Sequence, residues 1–198
     1  MAHADSSMIS FVDALWPVRG GSRLLRAAVL ALLGSALLTL SAKVQVPFYP
    51  VPMTMQTLVV LLIGMAFGAR LGVATVTLYL AEGAVGLPVF AGTPEKGIGL
   101  AYMMGPTGGY LLGFALAAAI AGWIVERRRD AAGLALAVIA GSIAIYAPGV
   151  LWLASLVGFG KAFELGLVPF LWGDLLKAGL AFALALGGAA MVRRRLGV

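Results

Sequence analysis

Two ionisable residues, Asp174 and Lys177, stand inside an otherwise apolar stretch, Trp172-Gly173-Asp174-Leu175-Leu176-Lys177. At spacing i,i+3 on a helix they share a face and can meet. A charged side chain inside a bilayer costs about 2.5–3.5 kcal/mol even on lenient insertion scales. Mutual neutralisation lowers that cost and leaves both groups with hydrogen-bonding capacity to spare. Asp174 is suited to accept from the N–H groups of a ligand, and Lys177 to donate to a carbonyl or carboxylate. The competing structural reading is a salt-bridged clamp between helices. A proton relay would need several acidic groups or histidines in series, and this chain offers one.

Other polar and aromatic residues that can gather near the same membrane face are Thr54, Gln56, Tyr79, Phe90, Tyr110, Tyr146 and Trp152. An apolar pocket with one charged pair and a few such groups suits a small amphipathic solute better than a bare ion. Nothing points to catalysis. There is no cysteine and a single histidine, His3, so no thiol nucleophile or metal cluster is expected. The string Gly158-Phe159-Gly160-Lys161 has the wrong spacing for a phosphate-binding loop, so the expectation is no cofactor and no ATP site in this chain.

These residues must be positioned by membrane helices. Of 198 residues, 62% are hydrophobic and 11% charged, against about 25% charged in soluble domains. That excludes a soluble enzyme or a nucleic-acid-binding module and leaves an all-α integral membrane protein in a single domain. The expected spans are 24–42, 54–69, 71–83, 102–125, 133–157 and 168–192, after a tail over 1–22. No cleavable signal peptide is expected, which leaves targeting to the first span. The run Val46-Pro47-Phe48-Tyr49-Pro50-Val51-Pro52 cannot be helix interior and forms a loop. The apolar run after it is broken only at Arg70, and a turn at Gly68-Ala69-Arg70-Leu71-Gly72 makes two short helices of it.

Charge supports that turn. With six spans, Arg19, Arg23, Arg26, Arg70, Arg127, Arg128, Arg129, Arg193, Arg194 and Arg195 fall on one side, and only Lys43, Lys96 and Lys161 on the other. Basic residues mark the cytoplasmic side, so both termini are expected there, in a cell-membrane protein. The net charge of +6 then describes topology and not an acidic partner. Small residues recur every four positions as Gly64, Gly68, Gly72, as Gly105, Gly109, Gly113, Ala117, and as Ala27, Ala31, Ser35. Such stripes let helices approach closely. The first two read as internal packing, while the third is open to either internal packing or a partner protein.

The same segments carry a family resemblance. The run Val46-Pro47-Phe48-Tyr49-Pro50-Val51-Pro52-Met53-Thr54-Met55-Gln56-Thr57-Leu58 resembles the signature of BioY proteins, the biotin-binding S components of energy-coupling-factor (ECF) vitamin transporters. Gly83-Ala84-Val85-Gly86-Leu87-Pro88-Val89-Phe90-Ala91-Gly92, Gly105-Pro106-Thr107-Gly108-Gly109-Tyr110-Leu111-Leu112-Gly113-Phe114 and Gly173-Asp174-Leu175-Leu176-Lys177 are similar in the same order. The resemblance implies a six-helix S-component bundle with a biotin site near the outer face. It implies that Asp174 and Lys177 contact biotin; Gln56, Thr54, Tyr79, Phe90 and Tyr146, from their residue types and positions, are the expected secondary contacts. The loop carrying Pro47, Pro50 and Pro52 would cover the site. A transmembrane coupling protein and a pair of cytoplasmic ATPases are the implied partners. The A-x-x-x-A pattern of Ala27 and Ala31, continued by Ser35, would meet the coupling protein. Glu82 stands where an uncharged residue is expected.

Biotin's chemistry fits the residues. Asp174 suits the ureido N–H donors, and Lys177 suits either the ureido carbonyl or the carboxylate. A stand-alone carrier for biotin or a related metabolite shares the pocket without the ATPase partners. A membrane enzyme using the pair as acid and base lacks any supporting nucleophile or metal cluster.

Overall fold

The computed structural model describes Val12, residues 22–92 and residues 97–196, without the side chains of 195 and 196. His3, nearly all of the expected 1–22 tail, Arg19, Lys96 and the side chain of Arg195 lie outside the described residues. The described residues are helical almost throughout. Helix α1 spans Arg23–Lys43 and starts at Ser22, whose Oγ accepts from the Leu25 N–H, the capping geometry that satisfies one of the free N–H groups of a first turn. A two-residue hairpin, β1 Gln45–Val46 and β2 Met53–Thr54, then pairs antiparallel, with Gln45 opposite Thr54 and Val46 opposite Met53. The proline-rich loop is the excursion between these strands.

Helix α2, Gln56–Ala84, is broken at Gly68, where φ is 78° and ψ 173°. A side chain is strained at such a φ. The break reverses the chain. Gln56 Nε2 donates to the Tyr79 hydroxyl at 2.7 Å, although an unbroken helix would hold these residues roughly 35 Å apart. Gly72 backs onto Gly64, with only 3.2 Å from an added Cβ to the Gly64 Cα. The turn is secured from outside by Glu126, whose Oε1 accepts from the Ala69 N–H at 3.0 Å.

Helices α3 (Leu100–Met103), α4 (Gly108–Arg127), α5 (Ala131–Val157), α6 (Phe159–Gly166) and α7 (Leu171–Leu196) complete the order, with a 3-10 turn at Val168–Phe170 before α7. Helix α5 is capped by Asp130, which accepts from the Gly133 N–H. Helix α4 is central, between α2 and α5. Its glycines allow the approach: an added Cβ at Gly113 would sit 2.7 Å from the Ile145 carbonyl oxygen, and one at Gly64 would sit 2.8 Å from that of Ala118. One core cluster joins Leu38, Tyr79, Phe90, Tyr110, Phe114 and Phe170 near the loops; a second joins Leu61, Met65, Leu134, Ala181 and Ala185.

Five helices among the described residues are long and apolar enough to cross a membrane, with the broken α2 counted once and α6 to α7 taken together. The six expected segments are all helical, but their ends differ. The reversal is at Gly68, the first residue of the expected turn and two before Arg70. The second segment starts at Gln56, because Thr54 is still in β2. The fourth starts at Gly108, because residues 104–107 interrupt the helix after α3. Neither the strand hairpin nor α6 was expected.

The stripe on α1 needs correction as well. Ala31 is 9% and Ser35 1% exposed, because this face packs inward, where Gly34 abuts Thr75 and Phe67. The Ser35 hydroxyl donates to the Glu82 carboxylate, which explains how Glu82 is accommodated. Ala27 is half-buried. The open face of α1 instead carries Leu25, Leu32, Leu33, Leu37 and Leu40.

Candidate substrate-binding site

A cavity of about 450 Å³, its open mouth included, lies where the hairpin, the first half of α2 and helices α4, α5 and α7 converge. Each wall follows from local sequence. Val51 and Pro52 come from the proline-rich loop, which cannot continue a helix and folds back over the bundle, and Met53 from the strand β2 that follows it. Met53 lies against Gly173, where an added Cβ would be 2.7 Å from its sulfur. Tyr110 and Phe114 face inward one turn apart on α4, Ile145 and Tyr146 come from α5, and Phe170 precedes α7.

The polar end is built by α7. Asp174 lies in its first turn, where a carboxylate is favoured by the helix dipole. It forms an ion pair with Lys177, with the two side chains only 15% and 9% exposed. The Tyr146 hydroxyl donates to Asp174 Oδ2 at 2.5 Å, and the Thr57 hydroxyl to Oδ1 at 3.3 Å. Lys177 Nζ donates to the Thr54 carbonyl at 2.8 Å. Two of its three N–H donors are thereby occupied, and one is left for a ligand. Gln56 is fixed from both sides: its Oε1 accepts from the Thr54 hydroxyl at 3.2 Å, and Nε2 donates to Tyr79. The Tyr79 hydroxyl in turn donates to the Val89 carbonyl at 3.2 Å.

Asp174, Lys177, Gln56, Thr54 and Tyr146 therefore converge on one cavity, and Pro52 of the three loop prolines lines it. Tyr79 and Phe90 do not line it. Tyr79 stands behind Gln56, and Phe90 stacks on Tyr102 with ring centroids 5.1 Å apart. Trp152 is used elsewhere, donating to the Gly105 carbonyl at 2.9 Å. Thr57, Phe114 and Phe170 are cavity residues that were not singled out from the sequence. Thr57 sat within the signature run. Phe170 had no signal beyond its place beside Pro169. An ion pair against an apolar, aromatic-walled slot can hold a solute with N–H donors and an acceptor at one end and hydrocarbon elsewhere.

Known proteins resemble this chain in sequence and in fold. A sequence profile described as the BioY family matches residues 10–194. The chain is 41% identical to the probable biotin transporter BioY of Pyrococcus horikoshii over 76% of this chain and 88% of that one. It is 40% identical to the biotin transporter BioY of Thermotoga maritima, over 77% and 89%, and 37% identical to that of Rhizobium etli, over 84% and 89%. Its fold resembles the crystal structure of an S component for biotin from an ECF-type ABC transporter. There the TM-score is 0.67 with 19% identity, covering 91% of this chain and 96% of that one. With the profile spanning nearly the whole sequence, the chain belongs to the BioY family.

Proposed function

We propose that this membrane protein is the biotin-binding subunit of an uptake transporter, holding biotin in the cavity headed by Asp174 and Lys177. The observation that carries this reading is the convergence of the buried ion pair with Gln56, Thr54 and Tyr146 on one aromatic-walled slot, in a chain whose relatives are named biotin transporters. Biotin's ureido N–H groups meet the Asp174 carboxylate. Lys177 uses its free donor on the ureido carbonyl or the carboxylate, and Tyr110, Phe114 and Phe170 pack the rings. The proline-rich hairpin, tied to α7 through Thr54 and Lys177, closes over the ligand.

Arg23 and Arg26, Arg70, Arg127 to Arg129, and Arg193 and Arg194 are read as one cytoplasmic end. In support, Glu126 caps Ala69 and so brings Arg70 beside the Arg127 to Arg129 cluster. The biotin site then opens outward, and both termini are cytoplasmic. Inward release is assigned to a transmembrane coupling protein and a pair of cytoplasmic ATPases, since the sequence carries no phosphate-binding loop of its own.

Reconstitution into vesicles tests the whole reading. Labelled biotin should accumulate only when coupling protein and ATPases are present with ATP. Robust uptake by the chain alone would establish a stand-alone carrier, and no biotin uptake in either preparation would sink the substrate assignment.

A further inference from the structure

Tyr146 and Asp174 face two cavities at once. One is the site cavity; the other is a groove between α5 and α7 of about 1340 Å³, counted with its open side. The groove is lined by Ile139, Ile143, Leu151 and Leu175, which are 58, 61, 59 and 64% exposed. These side chains belong to helices apolar enough to cross a membrane, so the groove opens onto lipid. Tyr146 and Asp174 are thus the two residues shared by the site cavity and the lipid-facing groove, and together they form the wall between them. The Tyr146 hydroxyl closes that wall by donating to Asp174 Oδ2 at 2.5 Å, and its ring is braced edge-on against Tyr110 with centroids 6.2 Å apart.

We infer that Tyr146 is a specificity-determining partition: its ring seals the binding site from the lipid-facing groove and sets the size limit of the ligand. The identity of that ligand rests on the biotin reading above, but the partition does not. An ionised carboxylate beside hydrocarbon is unfavourable unless paired and hydrogen-bonded, and the Tyr146 hydroxyl supplies one of those bonds whatever the solute. Removing the ring joins the two spaces, and the site then accepts a ligand extended toward α5 and α7.

The sequence contains no cysteine, so one introduced thiol reports cleanly. Thr107 lines the site cavity but not the groove. In vesicles, Thr107→Cys is treated with pyrenyl maleimide dissolved in the bilayer, with a water-soluble maleimide as reference. The ratio of lipid-phase to aqueous labelling should rise tenfold or more when Tyr146→Ala or Tyr146→Leu is added. It should stay within twofold with Tyr146→Phe, which keeps the ring. An unchanged ratio in the alanine and leucine backgrounds would overturn the partition, and this readout needs no biotin binding at all.

A second readout addresses specificity through two enlarged ligands, biocytin at the carboxyl end and N1′-methoxycarbonylbiotin at the ureido end. Relative to biotin, one of them should gain at least tenfold in affinity in Tyr146→Ala or Tyr146→Leu and neither in Tyr146→Phe. If biotin still binds but neither ratio moves, the size-limiting role is wrong. If the wild type binds no biotin, the substrate reading fails while the labelling result stands.

Discussion

Lys177 Nζ lies 2.8 Å from the backbone carbonyl of Thr54, 123 residues earlier in the chain. The same ammonium pairs with Asp174, so one group ties the loop hairpin to α7 and neutralises the buried carboxylate. Removing it as Lys177→Met strands Asp174, for which breaking a buried pair costs about 3–5 kcal/mol. The Thr57 and Tyr146 donors keep the loss toward the lower figure. In detergent, unfolding measurements should find Asp174→Asn/Lys177→Met more stable than Lys177→Met alone. Hydrogen exchange at residues 45–54 should accelerate in both. A single variant as stable as the wild type would remove the pair from the account of the fold.

Gly68 is the residue on which the α2 reversal depends. Gly68→Ala forces a side chain into a φ of 78° and against the Glu126 carboxylate. The backbone strain alone is worth about 1–3 kcal/mol. Thermal unfolding should show that loss, whereas Gly187→Ala, with nothing within 4 Å of the added Cβ, should be neutral or stabilising.

Tyr79 acts on the site through Gln56. Tyr79→Phe leaves the buried Gln56 amide donor without its partner and frees the Val89 carbonyl, costing about 1–3 kcal/mol. Ligand affinity should fall several-fold, because Gln56 lines the cavity and loses its fixed orientation. Unchanged stability and affinity would show that Gln56 is held by Thr54 alone.

Asp130 gives a pH dependence at the start of α5. The hydrogen bond from Arg128, followed by that from the Gly133 N–H, lowers its pKa below the ordinary 3.8. A depressed carboxylate contributes stability above its unfolded value and loses it as pH falls through the folded one. Acid unfolding below about pH 4 should therefore be shallower in Asp130→Ala. The difference should shrink in salt, since the Arg128 pair is exposed.

Much of this was legible in the residues. Apolar runs between charges located the helices, and Arg70 flanked by glycines marked the reversal to within two positions. Asp174 and Lys177 stood out because charge is costly where they lie. What stayed hidden depended on which face packs against what. Ala27, Ala31 and Ser35 have the spacing of a contact stripe, but spacing does not distinguish an inner face from an outer one, and Ala31 and Ser35 turned inward. Tyr79 and Phe90 are near the site in sequence terms yet stand behind it, because Tyr79 bonds to Gln56 and Phe90 stacks on Tyr102. Helix α6 was missed because eight residues holding Lys161 and Glu164 resemble a charged loop.

Equilibrium binding of biotin to the purified protein, with Asp174→Asn and Lys177→Met alongside, tests the central claim most directly. The wild type should bind saturably, and each variant should lose roughly 10- to 100-fold in affinity, the worth of one hydrogen bond to a charged group. Absence of saturable binding by the wild type would contradict biotin as the ligand, and unchanged affinity in both variants would contradict the site.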